Sequence, residues 1–243
     1  MALHFIEERA GEARVGDTIA LTGGEAHHAS AVRRVRVGEA VSVTDGHGTW
    51  LDGECESVAP REVRVRVTAR RDVAAPRRRV ALAQALAKGD RDELAVQAAT
   101  ELGVDEVVPW QAARSVSRWE GAKAEKGRAR WAAIVREAAK QAHRAWLPRV
   151  SPVATTAALA ARAQEELVLV LDPDAPTPLT SLELAGERSI LLLVGPEGGI
   201  APEELGRLAD AGATAVRLGD TVLRTSTAGP AALTLVNARL GRW

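Results

Sequence analysis

A run of five apolar residues, Ile190–Val194, leading directly into a glycine-rich turn places the strongest constraint on the fold of this chain. A short apolar run that ends in turn residues predicts a strand buried on both faces, as in a parallel sheet. The next five residues, Gly195–Gly199, contain three glycines and a proline, so we expect the backbone to turn sharply there. Pro202 and Glu203 suit the first turn of a helix. The stretch therefore predicts a strand–turn–helix unit of an α/β protein.

A second glycine-containing turn follows the first along the chain. Ala215–Leu218 predicts a short strand that opens onto Gly219-Asp220-Thr221. Turns at the carboxyl ends of parallel strands lie at one edge of the sheet, which is where α/β proteins bind ligands. Neither turn matches the dinucleotide pattern G-x-G-x-x-G or the phosphate-loop pattern G-x-x-x-x-G-K. Each turn alone is equally compatible with a connection that binds nothing, whereas the pair favours a ligand pocket.

Five motifs together resemble the SPOUT methyltransferases, and within them the RsmE-type enzymes. The two turns read Leu-Val-Gly-Pro-Glu-Gly-Gly-Ile (193–200) and Leu-Gly-Asp-Thr-Val-Leu-Arg-Thr (218–225). The other three motifs are Lys-Gly-Asp-Arg (88–91), Thr-Glu-Leu-Gly-Val (100–104) and Glu-Ala-Ala-Lys-Gln-Ala-His-Arg (137–144). The resemblance covers most of the chain in sequence order.

The resemblance implies an α/β fold with two domains. Residues 1–72 would form a small PUA-like β-barrel that binds RNA, and residues 73–243 a SPOUT-type parallel-sheet domain with a C-terminal knot that holds the cofactor. The residues support this division on their own, because alternating apolar and polar residues between Val15 and Val67 predict short strands. Asp52-Gly53 predicts a turn between them. The polar, proline-containing segment Arg71–Arg79 predicts a linker.

RsmE-type enzymes methylate N3 of a uridine in small-subunit (16S) ribosomal RNA with S-adenosyl-L-methionine. The resemblance, together with the two turns, places the cofactor on backbone groups and apolar side chains of nine residues: Leu171, Val194, Gly195, Pro196, Gly199, Leu218, Gly219, Thr221 and Leu223. Arg224 is the first candidate for a catalytic residue, because its fixed charge could stabilise an anionic uracil. Pairing of Arg224 with Glu197 or with an RNA phosphate is the alternative. Glu197 is a candidate base that could equally hold the loop.

Positive charge is concentrated in one part of a chain whose net charge is zero. Between Arg114 and Arg149 there are ten basic and three acidic residues. A local potential of this kind attracts an RNA backbone whatever the total charge. The candidate RNA-binding residues are Arg33, Arg34, Arg36, Arg114, Arg118, Lys140 and Arg144. The last two lie on a predicted helix, Glu125–Trp146, whose charged face could instead simply be solvated.

Three predictions concern what the protein does not contain and where it works. No apolar run approaches the ~18 residues of a membrane span, and a single cysteine, Cys55, favours a cytoplasmic protein. His27 and His28 have no Cys or His partner at metal-ligand spacing, so we expect no metal. The expected partner is ribosomal RNA, free or within the assembled 30S particle.

The last helix of the chain predicts an assembly. It is expected to begin with Thr227 as its N-cap, so that Pro230 falls in the first turn. Its apolar residues, including Leu235 and Leu240, exceed what one helix face needs, and SPOUT relatives are homodimers, so we expect a homodimer. Two other functions stay open, a SPOUT ribose 2′-O-methyltransferase and a PUA-like RNA-binding protein without catalysis.

Overall fold

A computed structural model describes residues 3–243. The chain forms two compact units that each contain a sheet. The first unit comprises the chain up to Ala75 together with Ala139–Leu147, and the second comprises Pro76–Ala138 and Pro148–Trp243. The sequence predicted one boundary, after residue 72. The chain instead passes back into the first unit once, at the end of a long helix.

The first unit contains a five-stranded sheet in the order β1-β3-β4-β5-β2, in which β1 and β3 are parallel and the other pairs antiparallel. Val63, Val65 and Val67 point into one core while the arginines between them face solvent, which is the alternation expected of a half-buried strand. The strands are β1 (Leu3–Ile6), β2 (Thr18–Thr22), β3 (Ala40–Thr44), β4 (Thr49–Ala59) and β5 (Glu62–Asp72).

Two local predictions for the first unit are wrong. Asp52-Gly53 is not a turn; it lies inside β4, where the register against β5 shifts by a β-bulge. The predicted helix Glu25–Arg36 is shorter, because α1 (Gly23–His27) continues as a π-helical turn, His28–Val32, and then stops.

Residues 139–147 join the first unit through backbone pairing. The Thr44 hydroxyl donates to the Ala145 carbonyl at 3.0 Å, and the Gly48 N–H donates to the same carbonyl at 3.0 Å. The Leu147 N–H donates to the Gly46 carbonyl at 2.9 Å. These contacts are between residues about a hundred positions apart, which local sequence patterns do not encode.

The second unit is a six-stranded parallel sheet in the order β11-β9-β10-β6-β7-β8. The two strands whose sequences are continuous apolar runs lie next to each other inside the sheet, β9 beside β10, as expected of strands covered on both faces. The strands are β6 (Val80–Ala85), β7 (Glu106–Trp110), β8 (Arg149–Val150), β9 (Leu167–Leu171), β10 (Ile190–Val194) and β11 (Thr214–Val216).

Helices cover this sheet and give it two cores. Leu82 and Leu192 belong to one core with Leu233, and Leu193 belongs to the other with Leu208. The helices are α2 (Arg91–Glu101), α3 (Ala122–Gln141), α4 (Thr156–Ala161), α5 (Pro202–Asp210) and α6 (Thr225–Arg239). No helix among residues 3–243 is long and apolar enough to span a membrane. The knot stays a prediction.

The start of α6 differs from the predicted one. Arg224, not Thr227, is the N-cap residue, so Pro230 lies inside the helix rather than in its first turn. The helix approaches the sheet closely there, because a Cβ atom added to Gly229 would lie 3.0 Å from the methyl carbons of Leu82. A small residue at position 229 therefore allows α6 to pack against β6.

Candidate functional site

A cavity of about 620 Å³ opens at the carboxyl ends of the central strands of the second unit. The two glycine-containing turns form its walls: the loop after β10, which we call the first loop (195–200), and the loop after β11, the second loop (217–224). All nine residues predicted to bind a cofactor line this cavity, and so do both candidate catalytic residues, Glu197 and Arg224. The structure thus brings together residues from three strand ends.

The first loop depends on glycine at two positions, for different reasons. Gly199 has a φ of +72°, a conformation that side-chain-bearing residues rarely adopt. Gly195 is in contact with another loop residue, since an added Cβ would lie 2.6 Å from the Cγ1 of Ile200. The Ile200 side chain also lines the cavity. A larger residue at position 195 would therefore displace a cavity wall.

The second loop offers its backbone to the cavity. Within the part of the chain that the structure describes, the backbone groups of residues 218–223 form no hydrogen bond with protein. Leu218 and Leu223 are partly exposed apolar residues of the lining, and Val222, which immediately precedes Leu223, is 80 % exposed. Unpaired backbone donors and acceptors beside apolar side chains suit a ligand with a flat ring whose edge carries hydrogen-bonding atoms.

Glu197 is held by the loop's surroundings. One carboxylate oxygen accepts from the Arg91 guanidinium at 3.0 Å and from the Lys88 N–H at 3.1 Å. Burial raises the pKa of Glu197, but hydrogen bonds from its own N–H, Lys88 and Arg91 outweigh burial and bring the pKa below its ordinary value. A carboxylate with a lowered pKa is a weaker base, so the contacts favour a role in holding the loop.

Arg224 does not pair with Glu197. Its side chain is exposed and lines the cavity, and its backbone precedes the first residue of α6. Among residues 3–243 no carboxylate forms an ion pair with its guanidinium. A fixed positive charge therefore lies at the cavity, accessible to a ligand.

The cavity lies in a stretch with extensive similarity to known proteins. The profile of the RNA methyltransferase domain matches residues 74–237, and that of the RNA methyltransferase PUA domain matches residues 21–68. Ribosomal RNA small subunit methyltransferase E of Mycobacterium tuberculosis is 46% identical over 94% of this chain and 89% of its own length. The Bacillus subtilis protein of that name is 32% identical over 98% and 96%.

The chain belongs to the ribosomal RNA small subunit methyltransferase E family.

Solved structures agree with this assignment. The chain is similar to the ribosomal RNA small subunit methyltransferase E of Neisseria gonorrhoeae bound to S-adenosylmethionine, with a TM-score of 0.88 and 28% identity over 98% of both chains. A Legionella pneumophila methyltransferase with the same bound cofactor has a TM-score of 0.89 and 27% identity, again over 98% of both chains. These similarities confirm the predicted fold class, an α/β methyltransferase domain preceded by a PUA-like domain.

The arginines assigned to RNA binding differ in their surroundings. Arg33, Arg34 and Arg36 are exposed at the end of the π-helical turn of the family's PUA-like unit. Arg114 and Arg118 are exposed in the second unit, where the Arg114 guanidinium donates to the Gly198 carbonyl at 2.9 Å. Arg114 therefore supports the first loop, a contact that the sequence did not reveal.

Lys140, which was predicted to contact RNA, is buried in an ion pair. Its side chain is 5% exposed, its ammonium lies 3.2 Å from Glu25 Oε1, and His28 Nδ1 lies at the same distance. Lys140 belongs to residues 139–147, which pack within the first unit. Arg144, which was predicted to bind RNA from the same helix as Lys140, is only partly exposed. A phosphate could reach Lys140 only after the ion pair is broken.

Replacing Lys140 by Met is expected to destabilise the first unit by about 3–5 kcal/mol, because Glu25 would keep a buried charge without its ammonium partner. Urea unfolding would measure the loss. Lys126, exposed on the same helix, provides the matched control Lys126→Met, for which we expect little change. If Lys140→Met left the stability unaltered and made RNA binding less dependent on salt, the variant would support the predicted RNA contact of Lys140.

Residues 3–243 contain no group of three or more His, Cys, Asp or Glu side chains that could hold an ion.

Proposed function

We propose that the protein methylates N3 of a uridine in small-subunit (16S) ribosomal RNA, with S-adenosyl-L-methionine as the methyl donor. Family membership supports rRNA methylation, and the named relatives bound to S-adenosylmethionine support the cofactor. The observation that carries the proposal for this chain is the cavity, in which an accessible arginine lies between two glycine-containing loops, and the second loop offers unpaired backbone groups. The substrate is the RNA itself or the 30S particle, and the proposed location is the cytoplasm.

The cavity fits the cofactor in size and chemistry. About 620 Å³ is within the range of small-molecule sites. Apolar side chains of Leu171, Val194, Leu218 and Leu223 would enclose the adenine, and backbone groups of residues 218–223 would bind its polar edge. When bound, the cofactor supplies a methyl group on a positively charged sulfur. The protein then contributes orientation and electrostatics.

Methyl transfer to N3 requires that the N3 proton is lost to solvent water, because the ring nitrogen attacks with a lone pair. We assign to Arg224 the stabilisation of the negative charge that uracil gains, since its exposed guanidinium lines the cavity. Glu197 is not assigned as the base, since Arg91 and Lys88 both donate to one of its carboxylate oxygens and its pKa is lowered. Its proposed role is to hold the first loop.

One assay tests the proposal. Small subunits that lack the modification are incubated with the protein and S-adenosylmethionine carrying a labelled methyl group, and the nucleosides are then analysed. We expect labelled N3-methyluridine. A labelled 2′-O-methylnucleoside would instead indicate a ribose methyltransferase, and RNA binding without transfer would indicate a binding protein.

We also propose that the protein acts as a homodimer through α6. An apolar groove of about 270 Å³ runs along this helix, and Leu235 lines it while remaining partly exposed. Its other lining residues are Leu179, Thr180, Leu184, Val236, Ala238 and Arg239. A two-fold axis would place the same groove of a second copy against it.

Leu235→Arg is therefore expected to yield monomers and to abolish methylation, because a charge in an apolar interface must be desolvated without a partner. Sedimentation measures the first effect and the nucleoside assay the second. Val15, an exposed residue of the first unit, gives the control Val15→Arg, which should remain dimeric. A wild-type protein that is monomeric at micromolar concentration and fully active would contradict the proposal.

A further inference from the structure

We propose that Gln84 and Thr225 form a buried relay that positions the first loop for the methyl donor, although neither residue belongs to that loop. This inference rests on the proposed S-adenosylmethionine site. Gln84 is on β6, and Thr225 is the first residue of α6, immediately after Arg224. Thr225 and Gly195 line the cavity, whereas Gln84 does not.

Three hydrogen bonds define the relay. The Gln84 side-chain amide donates to the Thr225 hydroxyl oxygen at 2.8 Å and to the Ala85 carbonyl at 3.3 Å. The Thr225 hydroxyl in turn donates to the Gly195 carbonyl at 2.9 Å. Donation runs in one direction, from the central strand through the start of α6 to the first loop. Each hydroxyl and amide hydrogen has an acceptor along this path.

Burial of the Gln84 amide costs free energy that an apolar side chain at this position would not. Gln84 is 0% exposed and lies in register between Val194 of β10 and Pro109 of β7. Its Oε1 atom has no hydrogen-bond partner among the described residues. An unpaired buried amide oxygen is unfavourable, and an apolar side chain would pack here without that penalty. The amide is therefore best explained by what its N–H groups hold in place.

The relay acts on a peptide group that has few alternatives. The residue after Gly195 is a proline, so the peptide bond between them lacks an N–H and its carbonyl is its only polar group. Thr225 fixes the direction of that carbonyl, and the contact of Gly195 with Ile200 fixes the neighbouring wall. Because Thr225 follows Arg224, the same bond also ties the first loop to the residue proposed to act on uracil.

Titration of S-adenosylmethionine into the protein in the absence of RNA tests the relay. Thr225→Val keeps the shape but removes the hydroxyl, so we expect the Kd to rise about tenfold, the equivalent of one lost hydrogen bond and its unpaired partners. Thr225→Ser retains the hydroxyl and should bind within about twofold of wild type. Thr234→Val, on the same helix but bonded only to the Pro230 carbonyl, is the matched control and should leave the Kd unchanged.

A double-mutant cycle then tests whether Gln84 acts through Thr225. Gln84→Met should weaken binding in the wild-type background and have little further effect beside Thr225→Val. Equal losses in both backgrounds, or equal affinities of Thr225→Val and Thr225→Ser, would overturn the relay. Wild-type protein that binds no S-adenosylmethionine would overturn the proposed site itself, whereas tight wild-type binding with unaffected variants would overturn the relay alone.

Discussion

Gly195→Val is expected to weaken S-adenosylmethionine binding by about 100-fold while the chain remains folded. The Cβ atom of the new residue would lie 2.6 Å from the Cγ1 of Ile200, and valine adds two methyl groups to it. Ile200 cannot relieve the contact with the end of its side chain alone, since Cγ1 is next to its own Cβ. Overpacking of this kind typically costs about 1–3 kcal/mol. This cost weakens cofactor binding, because the loop must accommodate the valine when it adopts the binding conformation.

Calorimetry measures the affinity, and circular dichroism shows whether the fold is retained. Gly206→Val is the matched control, because Gly206 is an exposed residue of α5 and an added Cβ there has no neighbour within 4 Å. Its affinity for the cofactor should equal that of wild type. If Gly195→Val bound the cofactor as tightly as wild type, the cavity would not be the cofactor site.

Arg224→Met is expected to lower kcat by about 10²–10³ with little change in cofactor affinity, the effect seen when one preorganised electrostatic group is removed. The side chain is exposed at the cavity, and the N-cap position of α6 depends on the Arg224 backbone without a side-chain hydrogen bond. The fold therefore should not need the guanidinium. Single-turnover methylation on saturating RNA measures the rate of the chemical step.

Two further variants separate catalysis from RNA binding. Arg224→Lys keeps the charge and should recover part of the rate, and Arg207→Met, an exposed arginine of α5 outside the cavity lining, should leave the rate unchanged. A mutant that regains the full wild-type rate at high RNA concentration would show that Arg224 binds a phosphate and does not assist the reaction.

The sequence predicted the parallel-sheet strands best where burial is complete. The predicted strands 167–171 and 190–194 have the observed bounds, because each is a run of five apolar residues, too short for a typical buried helix, that ends at turn residues. Half-buried strands were harder. β4 was missed because its Asp52-Gly53 pair has the composition of a turn, while in the structure it marks a bulge within a strand.

The two loops of the site were predictable because their backbone chemistry is local. Glycine, proline and the strand ends are all adjacent in sequence, so the cavity lining followed from a short stretch and the family resemblance. The contacts that hold the first loop were not predictable, because Arg91 and Arg114, which bond it directly, lie about a hundred positions away in sequence. Gln84, which acts on it through Thr225, is equally distant in sequence. The burial of Lys140 was not predictable for the same reason, since its partner, Glu25, is distant in sequence.

The path of the chain between the two units has a consequence for synthesis on the ribosome. The PUA-like unit starts the chain, yet it is complete only when Ala139–Leu147 has been added. Domains made first usually fold first, but here the amino-terminal unit must wait until more than sixty residues of the next unit have been translated. A nascent chain that has reached only Ala75 lacks the backbone pairing of Ala145 and Leu147. We therefore expect it to need protection from aggregation until those residues are made.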